Sequence, residues 1–158
     1  MDLVISDTNI LIDVENGNLT SVIFRLPYEI AVPDVLFESE LRERHSHLIE
    51  AGLKIKSLSA EFIKRAHHLS TKHPRPGTID RIALALALQE NCPLLTGDRD
   101  LRAAAINEGV RVYGTLWVVG ELLKTKLLEP QQARNSFDSM KRKGSRLPWG
   151  DVENLLMK

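Results

Sequence analysis

The chain has 158 residues, 43% hydrophobic and 27% charged, with 9 Gly and 7 Pro, which at ~150 residues per domain is one soluble globular core and excludes a collagen repeat, a coiled-coil rod or a disordered tail. No stretch approaches the ~18 uninterrupted apolar residues of a membrane span, and the opening Met1-Asp2-Leu3-Val4-Ile5-Ser6-Asp7 carries no positive leader. Net charge is zero, yet residues 1–50 hold 10 acidic and 3 basic side chains while residues 51–158 hold 11 acidic and 18 basic, a distribution suited to a cation site beside a polyanion site.

Short apolar runs alternate with helical patterns along the chain. Leu3-Val4-Ile5 predicts a buried strand ended by polar Ser6-Asp7-Thr8-Asn9, and Ile10, Leu11 and Val14 then recur at helical spacing until Asn16-Gly17-Asn18. Leu19 to Leu26 reads as a second short helix, and Glu29 to Val32 as a second strand. Pro33-Asp34 opens a single helix expected from about Val35 to Gly52. A third strand follows over Leu53 to Leu58, and Ser59 caps a helix toward Thr71.

His73-Pro74-Arg75-Pro76-Gly77 is the clearest break in the chain. After it, Thr78 caps Ile79 to Glu90. The Ile82-Ala83-Leu84-Ala85-Leu86-Ala87-Leu88 run looks alternating, but Ala and Leu are strong helix formers, so a buried helix is expected. Pro93 to Thr96 is a fourth strand, Asp98 to Glu108 a helix, and Val110 to Tyr113 a fifth strand. Helices follow over Thr115 to Leu127 and Gln131 to Lys141, with a short one around Val152, Leu155 and Leu156. Strand–helix alternation of this kind predicts a three-layer α/β/α sandwich around a mainly parallel five-stranded sheet.

Ligands of open parallel sheets bind beyond the carboxyl ends of the strands. Asp7 and Asp98 fall at two such ends; Glu40 lies about two turns into the helix after strand two, and Asp80 in the first turn of its helix. Taken singly, each acid has a capping or turn role available. Four carboxylates brought together repel and gain proton affinity unless a cation joins them. Mg²⁺ or Mn²⁺, as one or two ions, suits an all-oxygen set and leaves coordination sites for water and phosphate.

The segments Val4-Ile5-Ser6-Asp7-Thr8-Asn9-Ile10-Leu11-Ile12, Pro33 through Glu40-Leu41, Asp80-Arg81-Ile82-Ala83-Leu84-Ala85-Leu86-Ala87 and Leu95-Thr96-Gly97-Asp98 resemble the PIN-domain ribonucleases. The nearest likeness is to prokaryotic PIN proteins of the toxin–antitoxin kind. The resemblance covers about residues 1–125, giving a PIN-like domain over 1–125 and a C-terminal helical extension over 126–158 packed on it.

The resemblance implies a metal-dependent endoribonuclease, the toxin of a type II module, with RNA as substrate, a cognate antitoxin and a homodimeric state. Asp7, Glu40, Asp80 and Asp98 match the family's catalytic, metal-holding acids. Asn9 matches a supporting polar position. Glu38 competes with Glu40 as the helical acid, and Glu40 is preferred because Glu-Leu follows the pattern. Asp100 reads as an outer ligand or a helix N-terminal charge, and Thr96 as a residue that orients Asp98 or ends a strand. Among nearby cations, Arg75, Arg81, Arg99 and Arg102, the two assigned to phosphate are Arg81 and Arg99. A PIN-like module that binds RNA or protein without turnover is the alternative.

Other signals point elsewhere. His45 and His47 stand at i, i+2 and His67 and His68 are adjacent, spacings that share no helix face, and His73 stands apart, so zinc is not expected. Cys92 has no activating neighbour in sequence and reads as a packed thiol. With one cysteine no internal disulfide forms, which fits a reducing cytoplasm. No Gly-rich phosphate loop is present. A haloacid-dehalogenase-type phosphatase needs an Asp where Asn9 stands. A response-regulator receiver needs an Asp and a Lys where Ser59-Ala60 and Gly114-Thr115 stand. The run Lys141, Arg142, Lys143 and Arg146 suits RNA phosphate or a partner protein, while Trp149 suits packing on its own core or on a second copy.

Overall fold

The structure, a computed structural model, describes residues 2–157; positions 1 and 158, which bound the two expected regions, lie outside the described residues. Five strands, β1 (Asp2–Ser6), β2 (Tyr28–Pro33), β3 (Lys54–Lys56), β4 (Leu94–Leu95) and β5 (Val112–Tyr113), form one sheet in the order β3-β2-β1-β4-β5. Every pairing is parallel. Strand order reverses at β1, so the gap between the ends of β1 and β4 is the switch point where parallel sheets open a crevice. β3, β4 and β5 are shorter than their apolar runs. The β4–β5 ladder nevertheless continues to Thr96, whose N–H bonds the Tyr113 carbonyl at 2.9 Å.

Side chains alternate across the sheet, as strand geometry requires. Val4, Ile30, Val32 and Leu95 enter one core, while Ile5, Ala31 and Leu94 enter the other. The first core is covered by α1 (Thr8–Asn16), α2 (Thr20–Ile23) and α3 (Asp34–Leu36), with a π-helical turn over Phe37–Leu41. Beyond them it is closed by α5 (His47–Ala51), α9 (Thr115–Lys124), α10 (Pro130–Arg142) and α11 (Trp149–Leu156), while α4 (Arg42–His45), with no buried residue, links the π-helical turn to α5. The second is covered by α6 (Ala60–Lys72), α7 (Thr78–Glu90) and α8 (Arg99–Asn107). Three layers result. α7 is a helix despite its alternating look, and Ala83 through Ala87 are all buried. Five consecutive buried residues fit a helix enclosed on all sides, here by the sheet and by α6 and α8.

The single helix expected from Val35 to Gly52 is interrupted twice. Its first break is the π-helical turn, which adds one residue to a helical turn and rotates everything after it. Its second is at Ser46. His45 Nδ1 and His47 Nε2 reach the two carboxylate oxygens of Glu15 at 2.8 and 2.7 Å. A continuous helix cannot aim residues i and i+2 at one group, and the turn between α4 and α5 removes that obstacle. The helix expected over Leu19 to Leu26 shortens to four residues, and the one expected to Leu127 ends at Lys124, followed by Lys126 at φ 61°.

Gly77 and Gly114, rather than Thr78 and Thr115, are the residues preceding α7 and α9. Ser59 caps α6 through its hydroxyl, which accepts from the Phe62 N–H. Trp149 packs against the first core, with the Lys141 ammonium 5.4 Å from its ring centre. Among the described residues no helix is long and apolar enough to cross a membrane.

Candidate functional site

Three of the four acids owe their place to helix starts. Asp7 ends β1 and is the N-cap of α1, its Oδ1 accepting from the Ile10 N–H at 3.0 Å. Asp98 repeats this beyond β4, accepting from the Leu101 N–H at 2.7 Å as N-cap of α8. Asp80, third residue of α7, takes a hydrogen bond back from the Gly77 N–H, half of a capping box. The capping role and the site role therefore coincide. An acid is one of the side chains that can accept from a helix start's unpaired N–H groups, and the topology puts these three starts around one crevice.

Thr96 joins the two strand-end acids. Its buried hydroxyl donates to Asp7 Oδ2 at 2.5 Å and accepts from the Asp98 N–H at 3.0 Å. Thr96, expected to orient Asp98 or to end a strand, thus touches Asp98 only through its main-chain N–H, and the carboxylate it bonds is that of Asp7. Glu40 arrives from the π-helical turn, where its Oε1 accepts from the Thr8 hydroxyl at 2.9 Å, one residue from Asp7. Glu38 instead pairs with Arg42 on the exposed side of the same segment.

The electrostatics record the crowding. Asp7 is 3% exposed, and its carboxyl is pushed up to about 6. Burial is the largest cause; the bonds from Thr96 and Ile10 oppose it, and the charges of Asp80 and Asp13 add to it. Asp80 is also raised, first by burial and then by Asp98, with Glu40 adding a smaller push. The Thr96 bond can be tested by isosteric replacement. In Thr96→Val the Asp7 carboxyl is expected to titrate above about 6, because a bond that favours its charged form is gone. The folded chain is expected to lose roughly 1–3 kcal/mol. Thr96→Ser retains the hydroxyl and is expected to restore both. NMR titration of the Asp7 carboxyl checks this, and an unmoved midpoint in the Val variant contradicts the assigned role.

One acid escaped the sequence reading. Asp13 on α1 is half-buried, accepts from the Thr115 hydroxyl at 2.8 Å and hydrogen-bonds Ser145; burial raises its pKa. Its signal was an acid inside the apolar run Ile10-Leu11-Ile12-Asp13-Val14. Asn9 is exposed and lines a groove with Asp13, Asp98 and Arg99. Asp100 is half-buried, 4.0 Å from Arg75. Arg81 turns its guanidinium onto the carbonyls of His73, Pro74 and Pro76 and onto Thr78, bracing the loop before α7. Cys92 lies outside this cluster, and burial pushes its thiol up to about 11.

Carboxylate oxygens are the donors that hard divalent cations take, and mutual repulsion at Asp7 and Asp80 is what such an ion relieves. The donor chemistry therefore fits Mg²⁺ or Mn²⁺. As the side chains stand, no three His, Cys, Asp or Glu among the described residues are gathered closely enough to hold an ion together.

Comparison with known proteins bears on the fold and the family. No curated protein matches the chain. Among solved structures, the chain is similar to a PilT N-terminus domain protein from the archaeon Sulfolobus solfataricus P2, with a TM-score of 0.51 and 13% identity over 77% of this chain and 94% of that one. The family model DUF3368, PIN domain, matches residues 3–158 and so takes in the C-terminal helices as well as the sheet. PIN domains are generally nucleases. With its all-parallel sheet, its acids at the switch point and a match over nearly its whole length, the chain belongs to the PIN domain family.

Proposed function

We propose that this chain is a metal-dependent endoribonuclease that hydrolyses RNA phosphodiester bonds, and that it acts as the toxin of a type II toxin–antitoxin module. The observation that carries the reading is the gathering of Asp7, Asp80, Asp98 and Glu40 around the β1–β4 crevice, with Thr96 bonded to two of them. These four would hold one or two Mg²⁺ or Mn²⁺ ions. When bound, such a cation supplies Lewis acidity, making water acidic and neutralising charge on the phosphate.

The protein's own part is positional. Thr96 Oγ1 fixes Asp7 Oδ2, and the Leu101 N–H fixes Asp98 Oδ1. Thr8 fixes Glu40 Oε1. Anchors of this kind keep ligands oriented before substrate arrives. The antitoxin and the homodimer belong to the same proposal and rest on the resemblance. Exposed Val35, Ile55 and Ile63 offer apolar surface for a covering protein.

The test is cleavage of a labelled single-stranded RNA by the pure chain in Mn²⁺, in Mg²⁺ and in chelator, with Asp7→Asn as the contamination control. Cutting in Mn²⁺ that disappears in chelator and in the variant is the expected result. Absence of cutting, with RNA still bound, overturns the catalytic reading in favour of a PIN-like binding module.

A further inference from the structure

The carboxylate site leaves the basic segment between α10 and α11 without a role. That segment, and the end of α10 that leads into it, are each tied to α1. The Ser145 hydroxyl accepts from Asn16 Nδ2 at 2.9 Å and bonds the Asp13 carboxylate, and the Ser139 hydroxyl donates to the Asn16 carbonyl at 2.6 Å. Gly144, at φ 89°, turns the chain between them in a conformation other residues resist. The result is a groove of about 550 Å³ that runs beside the acids. Asn9, Asp13 and Asp98 line it together with Arg99, Lys143 and Arg146.

All three cations are exposed, and among the described residues none of them pairs with a carboxylate. Unpaired cations beside Asp98 lower the cost of bringing a polyanion to an acidic crevice. No aromatic side chain lines the groove. It therefore has no platform for stacking bases and suits the sugar–phosphate backbone.

We infer that this groove is the track of the RNA backbone leaving the carboxylates, with Lys143 and Arg146 of the C-terminal link each contacting a phosphate. The inference rests on the nuclease reading above and adds to it the path of the strand. Its two residues are positioning residues, remote from the reacting atoms, and the bonds they make are blind to base sequence.

The experiment measures binding of a short labelled single-stranded RNA, in Mg²⁺ over a salt series, to the full chain carrying Asp7→Asn so that nothing is cut. Adding K143A and R146A is expected to weaken binding at least about 10-fold near 0.1 M salt and to flatten the log–log salt slope by about 1.4, since each single-strand phosphate left without its cation removes ~0.7. Adding K124A, at the opposite end of α9, is expected to leave both unchanged. In the cleaving chain the double substitution raises KM and leaves kcat nearly as it was, with an unaltered thermal melt.

Unchanged affinity and slope in the double variant overturn the inference, while metal-dependent cutting by the wild type keeps the nuclease reading. A groove that binds an acidic peptide and no RNA also overturns it, and assigns the surface to a protein partner. A wild-type chain that neither binds nor cuts RNA removes both.

Discussion

Asp7→Asn is expected to reduce RNA cleavage by at least about 100-fold and, in the absence of divalent cations, to make the folded chain more stable at pH 7.5. The second effect follows from the sign of the shift. The Asp7 carboxyl titrates near about 6 when folded, against the ordinary 3.8 that it has once the chain unfolds and water reaches it. A raised carboxyl contributes most at pH below the unfolded value, and that contribution is lost as pH climbs from about 4 to about 6. Above this window the buried charge costs roughly 2–3 kcal/mol, at 1.36 kcal/mol per pKa unit.

Asparagine keeps a carbonyl for the Ile10 N–H and carries no charge to bury. A net gain of about 1–2 kcal/mol is expected at pH 7.5, since the amide forfeits the charge-assisted bonds. Near pH 4 the gain vanishes. Thermal melts of both chains in chelator at the two pH values check this. A variant less stable than wild type at pH 7.5 contradicts the account of Asp7 as a strained, function-bearing charge.

Mn²⁺ is expected to stabilise the wild-type chain strongly at pH 7.5 and hardly at all at pH 5. An ion that binds only the folded state adds RT ln(1 + [L]/Kd), about 2.7 kcal/mol at a hundredfold excess over Kd. It binds carboxylates in competition with protons. Asp7 is mostly protonated below about 6, and Asp80 is raised in the same direction, so acidification withdraws the ligands. Melting temperature against Mn²⁺ concentration at both pH values is the measurement. Asp7→Asn and Asp98→Asn are each expected to remove most of the shift. A shift equal at pH 5 and pH 7.5 places the ion somewhere other than this cluster.

Both expectations come from acids whose positions were legible before any coordinates. Asp7 and Asp98 follow apolar strand runs and precede helical periodicity, so their location at strand ends was readable from pattern alone. Asp80 was readable as a first-turn acid for the same reason. Thr96 was visible only as a choice between two roles. That one hydroxyl serves both acids depends on β1 and β4 being neighbours, which puts Thr96 against Asp7, 89 positions earlier in the chain.

Glu40 was located to its segment but not distinguished from Glu38 by periodicity. The π-helical turn, which helical spacing does not anticipate, separates Glu40 beside Thr8 from Glu38 beside Arg42. The meeting of His45 and His47 on Glu15 has a related cause. Residues at i and i+2 diverge on a helix, and here they converge on Glu15 because the helix breaks at Ser46.

By itself the sequence determined much of the local order of this protein: which runs are strands, where helices lie outside the interrupted 34–51 segment, and which acids begin helices at strand ends. Those features arise from side chains within a few residues of one another, and hydrophobic period, caps and turn residues record them directly. Tertiary structure alone decided which distant groups meet. It brought Asp13 to Thr115 and Ser145, set the basic link of the C-terminal helices beside Asp98, and buried Asp7 deeply enough to raise its proton affinity. Burial and contact across a hundred residues depend on how whole layers pack, and one chain's local pattern carries no record of that.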